Sequence, residues 1–102
     1  MQPTLARRTV LAAALACATF AAQAQAAIKI AGIYELSGAG ASAGTYFKDG
    51  VELAIKEINA SGGILGKKIV STVADTQTQP GVAKGLAAKA VDDGAFAVFG
   101  PV

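Results

Sequence analysis

Side chains capable of covalent or metal chemistry are scarce in this chain of 102 residues. It contains no histidine and one cysteine, Cys17. A zinc cluster, a Ser/His or Cys/His catalytic pair and an intramolecular disulfide therefore cannot be assembled. Glu35, Asp49 and Asp75 are carboxylates near loops, but spacing across separate elements does not define an acid/base pair, and Asp75 fits the ordering of a turn. A hydrolase is therefore a poor first hypothesis, and no metal or cofactor is expected.

The residues best suited to holding a ligand lie in the glycine-rich stretch 37–44. Gly38, Gly40 and Gly44 allow backbone N–H groups to approach a bound molecule closely. The helix expected behind this stretch favours a negatively charged group. A flexible loop that needs tight turns would carry the same glycines, and the pattern alone leaves both interpretations open.

The distribution of charge excludes nucleic acid as a partner. The formal net charge is +2, and both arginines, Arg7 and Arg8, lie at the N-terminus. From residue 27 onward, seven lysines balance seven acidic residues. A segment without net positive charge, and without aromatic residues among its lysines, lacks the electrostatic footprint of nucleic-acid binding.

Both arginines belong to a predicted secretory signal peptide, residues 1–26. The basic N-terminus is followed by a charge-free run over residues 9–22, and the small residues Ala24 and Ala26 then provide a cleavage site. The run has 14 residues, whereas about 20 are needed to span a bilayer. The mature chain is therefore expected to begin at Ala27, in the periplasm, with no membrane anchor of its own.

Two features of the signal peptide have alternative interpretations. The Arg7-Arg8 pair fits either an ordinary positive N-terminus or a twin-arginine export signal, and the export route stays open. Cys17 follows Leu15-Ala16, which is close to a lipoprotein box. The leucine lies one place too near the cysteine for that pattern. This spacing favours the interpretation of Cys17 as an ordinary small apolar residue of the signal peptide.

The hydrophobic pattern beyond residue 26 predicts three strands alternating with two helices. Strands are expected over residues 28–34, 68–74 and 96–99. The first helix is expected over residues 46–60, capped by Thr45 and ended by Gly62-Gly63. The second begins near Pro80 and ends at residues 92–94.

This order predicts the α/β class, with a parallel, doubly wound β-α-β-α-β sheet and right-handed connections. The second strand is expected on one side of the first and the third on the other, with the two helices on opposite faces. Ligands of such sheets bind at the carboxyl ends of the strands. The candidate site loops are therefore residues 35–45, residues 75–79 and the segment from residue 100 onward.

The sequence resembles the start of the branched-chain amino-acid-binding periplasmic proteins. The resemblance rests on IKIAGIYELSG, FKDGVELAIKEINASGGILGKKI, the turn DTQTQP and AAKAVDDGAFAVFGPV, and it covers residues 27–102. Its most specific part is the ordered set of Asp49-Gly50, Ile58-Asn59, Gly62-Gly63-Ile64 and Gly66, followed by residues 91–94. The family comprises solute-binding components of ABC transporters with the type I periplasmic binding fold.

The resemblance implies binding without catalysis. Family members have two α/β lobes that close over a small solute, usually an aliphatic amino acid or an amide-like relative, and then dock on a permease in the inner membrane. Residues 27–102 would be a truncated first lobe. By position, the residues facing the cleft between the lobes would be Ser37, Gly38, Ser42, Ala43 and Gly44, and those leading into the second ligand loop would be Gly100, Pro101 and Val102. Members with bulky aliphatic ligands often place an aromatic residue where Ala43 stands.

An exported nicotinamide-dependent oxidoreductase is the alternative from another functional class. Residues 38–43 match G-x-G-x-x-A between a predicted strand and helix, and Asp75 closes the second strand. The spacing is unfavourable, because Asp75 lies 35 positions beyond Gly40 whereas roughly 20 are expected.

Overall fold

The computed structural model describes residues 27–102 as a parallel three-stranded sheet with two helices. In chain order the elements are β1 (Ile28–Tyr34), α1 (Ala41–Ala60), β2 (Ile69–Asp75), α2 (Pro80–Asp92) and β3 (Ala97–Phe99). The predicted α/β class and the β-α-β-α-β order are confirmed. The predicted signal peptide, residues 1–26, lies outside the described residues.

The strands lie side by side in the order β2-β1-β3, and both pairs are parallel. Ile28 lies opposite Ile69 and Tyr34 lies opposite Asp75, so β1 and β2 pair over their full length. On its other edge, β1 pairs with the three residues of β3. The predicted placement of the second and third strands on opposite sides of the first is confirmed.

The core is centred on β1, whose last five residues are all buried. Consecutive burial means that both faces of the strand are covered, as is usual in a parallel sheet. On one face the ring of Tyr34 meets Phe47 of α1 edge to face, with 5.8 Å between ring centroids. On the other face Ile33 lines a cavity together with Leu86 and Ala90 of α2. The two helices therefore cover opposite faces of the sheet.

The start of the first helix differs from the prediction. α1 begins at Ala41 rather than near residue 46, and Gly40 occupies the N-cap without a side-chain hydrogen bond. The expected Thr45 cap is wrong, because the Thr45 hydroxyl lies inside the helix and donates to the Ala41 carbonyl (2.7 Å). Alanine is the best helix former, and it supports a helical turn in a stretch whose glycines indicate a loop. The loop after β1 therefore ends at Gly40.

The turn after α1 is fixed to the start of β2 by Asn59. Its side-chain amide donates to the Ile69 carbonyl and accepts from the Ile69 N–H, each at 2.8 Å. Gly63 has a φ of +82°, and a methyl group added to it would lie 2.0 Å from the Lys67 carbonyl oxygen. The N-A-S-G-G string thus sets where β2 enters the sheet, and only glycine fits at residue 63.

The remaining boundaries lie within one residue of the prediction. β2 runs over Ile69–Asp75 instead of residues 68–74, and β3 begins at Ala97 instead of residue 96. Within residues 27–102, neither helix combines the length and the apolar character needed to cross a membrane.

Candidate functional site

Three chain segments meet at the carboxyl edge of the sheet because all three strands run in the same direction. They are residues 35–40 after β1, residues 76–79 after β2 and residues 100–102 after β3. A cavity of about 390 Å³ opens between them, and its lining includes Glu35, Thr76, Thr78, Gln79, Pro101 and Val102. This edge is where sheets of this kind bind their ligands. A second cavity, of about 380 Å³, lies over the face of the sheet beneath α2, away from these loops.

Asp75, the last residue of β2, ties the first two segments together. Its Oδ2 atom accepts a hydrogen bond of 2.6 Å from the Ser37 hydroxyl. Its Oδ1 atom accepts from three backbone N–H groups, those of Leu36 (2.9 Å), Ser37 (3.2 Å) and Gln77 (2.8 Å). The bond from the Ser37 hydroxyl, followed by that from the Gln77 N–H, holds the pKa of Asp75 below its usual value. The expectation that Asp75 orders a turn is confirmed, and the carboxylate also orders the loop after β1.

Thr78 adds a second connection between the same two loops. Its hydroxyl donates to the Ser37 carbonyl (2.7 Å) and accepts from the Gly40 N–H (3.0 Å). Gln77 and Thr78 both have a φ of +57°, a left-handed conformation that is rare for a β-branched residue such as threonine. The hydrogen bonds of Asp75 and Thr78 therefore hold a backbone that the local sequence does not favour.

Glu35 connects the loop after β1 to the segment after β3. It is 7% exposed, and its two carboxylate oxygens accept from the Val102 N–H at 3.1 and 3.3 Å. Within residues 27–102 the ion pairs involve Lys48 and Lys89, and neither includes Glu35. A buried carboxylate without a cation depends on hydrogen-bond donors, and here the donor belongs to a segment 67 residues away in sequence.

The eight residues selected by resemblance lie at this edge or next to it. Ser37 and Gly38 are exposed in the loop, whereas Ser42 and Ala43 are exposed in the first turn of α1. Gly44 is buried beneath that turn, and a methyl group added there would lie 2.0 Å from the Glu35 carbonyl oxygen. Gly100 has a φ of +91°, and an added methyl group would lie 1.9 Å from the Ile33 carbonyl oxygen. Pro101 and Val102 line the cavity.

Sequence reasoning did not select three residues that the structure places at this edge. The sequence places Glu35 in the candidate loop after β1, and Thr76 and Thr78 in the candidate loop after β2, but it assigns a ligand role to none of the three. Thr76 is 1% exposed, and its hydroxyl accepts from the Thr78 N–H (3.2 Å). A usable signal was the turn D-T-Q-T-Q-P, in which threonines follow the strand-ending aspartate at offsets of one and three.

Comparison with known proteins adds a decisive observation, since a family model described as periplasmic binding protein matches residues 27–102. The chain belongs to this family. A Leu/Ile/Val-binding protein of Rhizobium johnstonii is 41% identical over 95 residues, which cover 93% of this chain and 26% of that protein. A leucine-specific-binding protein of Salmonella typhimurium is 37% identical over 93 residues, covering 91% and 25%. The chain spans about a quarter of the length of these curated relatives.

Solved structures agree with this assignment. The isoleucine complex of a branched-chain amino acid transporter substrate-binding protein from Streptococcus pneumoniae has a TM-score of 0.73 and 38% identity, covering 74% of this chain and 22% of that one. A fatty acid ABC transporter substrate-binding protein from Thermomonospora curvata has a TM-score of 0.66 and 25% identity, covering 71% and 18%. The type I periplasmic binding fold and the resemblance to branched-chain amino-acid-binding proteins are therefore confirmed.

The nicotinamide-dependent alternative gains no support from the family or from these relatives. The geometry is unfavourable as well. A dinucleotide fold uses the acidic residue near the end of its second strand to bind a ribose hydroxyl. Here both oxygens of Asp75 already accept hydrogen bonds from the protein's own loops.

Proposed function

We propose that the protein is the periplasmic solute-binding component of an ABC transporter. It binds a branched-chain or other small aliphatic amino acid, or an amide-like solute, and delivers it to a permease in the inner membrane without chemical change. The observation that carries this proposal is the match of residues 27–102 to periplasmic binding proteins, with relatives named for leucine, isoleucine and valine. The carboxyl-edge loops, fixed to one another by hydrogen bonds, are consistent with a preformed half-site.

The exposed groups at this edge suit a small zwitterion. Ser37 and Gly38 offer a hydroxyl and a backbone without side-chain obstruction, and the first turn of α1 presents backbone N–H groups at Ser42 and Ala43. A helix start of this kind favours a carboxylate. Gly44 would serve the site by letting α1 begin close to the end of β1, and the second ligand loop would begin at Gly100, Pro101 and Val102.

The proposal is tested by calorimetry of the complete protein against a panel of solutes. The panel contains leucine, isoleucine, valine, alanine, a short aliphatic amide, a fatty acid and a nicotinamide dinucleotide. We expect saturable binding of at least one aliphatic amino acid or amide, and recovery of the solute unchanged. Saturable binding of the dinucleotide or the fatty acid, with no response to any amino acid or amide, would contradict the proposal.

The place of Ala43 in the site is tested by Ala43→Trp. The side chain is exposed in the first turn of α1, so the bulky indole would enter the space that the solute is proposed to occupy. We expect affinity to fall roughly tenfold, the scale of an overpacking cost. Ala88→Trp is the matched control, since Ala88 is exposed on α2 and lies two turns beyond the helix start. A dissociation constant that Ala43→Trp leaves unchanged would remove Ala43 from the site.

We also propose that export removes residues 1–26. The basic start, the apolar run and the small residues Ala24 and Ala26 support cleavage before Ala27. The intact mass of the secreted protein is expected to correspond to a chain beginning at Ala27. A secreted product that retains Met1, or that carries lipid on Cys17, would refute the assignment.

A further inference from the structure

The connection between α1 and β2 contains a tight turn with Leu65 at its tip. The Ile64 N–H donates to the Lys67 carbonyl (2.8 Å), and the Lys67 N–H donates to the Ile64 carbonyl (2.9 Å). Leu65 and Gly66, the two central residues, have φ values of +50° and +76°. Positive φ at both positions is the type I′ pattern, for which Asn-Gly, Asp-Gly and Gly-Gly are the preferred pairs. Leucine is therefore an unfavourable residue at the first central position.

Neither local conformation nor burial accounts for a leucine at residue 65. A side chain with a Cβ atom is disfavoured in the left-handed region, and leucine lacks the polar group with which asparagine or aspartate compensates by local hydrogen bonding. Leu65 is 96% exposed, the highest value among the large apolar residues within residues 27–102. Backbone strain that folding does not explain points to a function. An apolar side chain held out to solvent in this way suits contact with another molecule.

The turn is tied to the body of the fold at its base. The Lys68 ammonium group donates to the Asn59 carbonyl (2.5 Å) at the end of α1. Gly63 packs so closely on the turn that an added methyl group would lie 2.0 Å from the Lys67 carbonyl oxygen. A side chain presented by a fixed backbone loses little entropy on binding, so Leu65 is preorganised as an anchor for a partner.

The residues around Leu65 indicate the chemistry of that partner. Ile64 is 45% exposed beside it, and the exposed lysines Lys67 and Lys68 follow directly. Within residues 27–102 the ion pairs involve other lysines, so the positive charge next to the tip is not neutralised by a carboxylate of that segment. An apolar tip beside positive charge is complementary to an apolar pocket with acidic groups at its rim.

Two other occupants fit this surface less well. A second copy docked through the same turn would bring lysines of like charge together, which opposes association. A lipid surface would gain two aliphatic side chains and two lysines, whereas even a whole myristoyl chain gives only marginal membrane binding. The observations therefore favour a protein partner.

We propose that the Leu65 turn, residues 64–67, docks on the periplasmic surface of the permease, with Leu65 in an apolar pocket and Lys67 beside acidic groups. The permease is the protein partner that the proposed function requires, and this inference rests on that function. The turn precedes β2 and lies at the amino edge of the parallel sheet, opposite the carboxyl-edge loops. Variants of the turn should therefore impair delivery of the solute and leave its capture intact.

Leu65→Asn in the complete protein tests the anchor. The readout is uptake, by right-side-out membrane vesicles of a strain that lacks this protein, of the amino acid or amide that binds in calorimetry. Asparagine is preferred at this position of a type I′ turn, so the variant is expected to fold at least as stably as the wild type. We expect the protein concentration that gives half-maximal uptake to rise at least tenfold, the scale of burying one leucine side chain. The dissociation constant of the solute is expected to be unchanged.

Leu65→Met and Leu53→Asn are the matched controls. Methionine keeps an apolar side chain at the tip, so the half-maximal concentration of Leu65→Met is expected to lie closer to the wild type than to Leu65→Asn. Leu53 is also largely exposed (57%) but lies on α1, outside the turn. Leu53→Asn therefore makes the same substitution elsewhere and is expected to leave uptake unchanged.

Lys67→Glu tests the charge complementarity. It reverses the charge beside the tip and leaves the backbone hydrogen bonds with Ile64 available. We expect weaker docking, and we expect added salt to weaken docking of the wild type while it relieves the repulsion in the variant. Equal dependence on salt in the two proteins would show that no acidic group faces Lys67, and would overturn that part of the proposal.

Leu65→Cys decides among the other occupants, because it supplies the only thiol of residues 27–102. The thiol of the folded complete protein is expected to react readily with an environment-sensitive dye. A thiol that does not react would show that the rest of the protein covers the turn. A dye response to protein-free vesicles of phosphatidylglycerol and phosphatidylethanolamine would indicate a lipid surface. Each of these results would overturn the proposal, as would a wild-type dimer in sedimentation that Leu65→Asn dissociates.

The uptake assay also separates this inference from the proposed function. If the wild type restores uptake and Leu65→Asn restores it at the same concentration, the permease does not dock on the turn. The inference is then wrong, and the proposed function stands. If the wild type binds an amino acid or amide but restores no uptake, or binds none, the proposed function fails and the inference fails with it.

Discussion

Gly44→Ala is expected to destabilise the complete protein by about 3 kcal/mol or more, at the upper end of overpacking costs. The added methyl group would lie 2.0 Å from the carbonyl oxygen of Glu35 and 2.7 Å from its carbonyl carbon. Both are backbone atoms at the end of β1, so no side-chain rotation can relieve the contact. α1 would have to move away from the sheet. Urea unfolding of the wild-type protein and the variant measures the loss of stability.

Gly50→Ala is the matched control, because it makes the same substitution in the same helix. A methyl group added at Gly50 meets no atom within 4 Å among the described residues. Alanine in a helix interior is more favourable than glycine by about 0.8–1 kcal/mol, so this variant is expected to be stabilised. If Gly44→Ala and Gly50→Ala changed the free energy of unfolding by the same sign and size, the contact with Glu35 would not be what restricts residue 44 to glycine.

The same contact also affects the candidate site. The position of Gly44 sets how closely the first turn of α1 approaches the end of β1, and that turn carries Ser42 and Ala43. A folded fraction of Gly44→Ala would therefore present a displaced turn. We expect its affinity for the solute to fall together with its stability.

Much of the fold could be predicted because its signals are local and repeated. The apolar run of residues 28–34 indicated a buried central strand, and the glycine pair at 62–63 indicated the end of a helix. Helices long enough for crossovers then required a parallel sheet, which placed the loops of the candidate site at one edge. The strand order and the edge on which the loops meet both follow from this chain of steps.

The start of α1 could not be predicted, because residues 41–44 have small side chains that give no periodic signal. A glycine at residue 44 is as compatible with an open loop as with a helix packed tightly on a strand end. The contact of Gly44 with the backbone of Glu35 decides between these two structures. It exists only once α1 is packed against the end of β1. The loop propensity of the glycines is overridden here by tertiary packing, with which the helix propensity of the alanines agrees.

The internal contacts of the site were beyond sequence reasoning for a related reason. Asp75 was recognisable as a turn residue, but its partners Leu36 and Ser37 lie 39 and 38 residues away. Glutamate is usually a surface residue, yet Glu35 is buried and accepts a hydrogen bond from the Val102 N–H. The sequence separation of such pairs follows no rule, because the partners meet only when the sheet has formed.

Residues 27–102 produced alone are expected neither to fold cooperatively nor to bind the solute. Each face of the three-stranded sheet has one helix, and large apolar side chains remain exposed: Phe96 at 82%, Val70 at 52%, Val73 at 44% and Phe99 at 38%. Both outer strands, β2 and β3, have an open edge that can pair with another chain. A segment of this size buries only about 60% of its unfolded surface even when complete. We expect a broad thermal transition and association that increases with concentration.

Loss of binding is expected for an additional reason, since a small-molecule site encloses most of its ligand and this segment offers only the open cavity at one edge of its sheet. Calorimetry with leucine, run in parallel on the segment and on the complete protein, measures the loss of binding separately from the loss of cooperative folding. The segment variant Phe96→Lys is the control for association: it removes the most exposed of these side chains. If association were all that prevents the segment from folding cooperatively, this variant would show a cooperative thermal transition. A cooperative melt together with micromolar binding of an amino acid by residues 27–102 would show that this segment is sufficient, and would overturn the prediction.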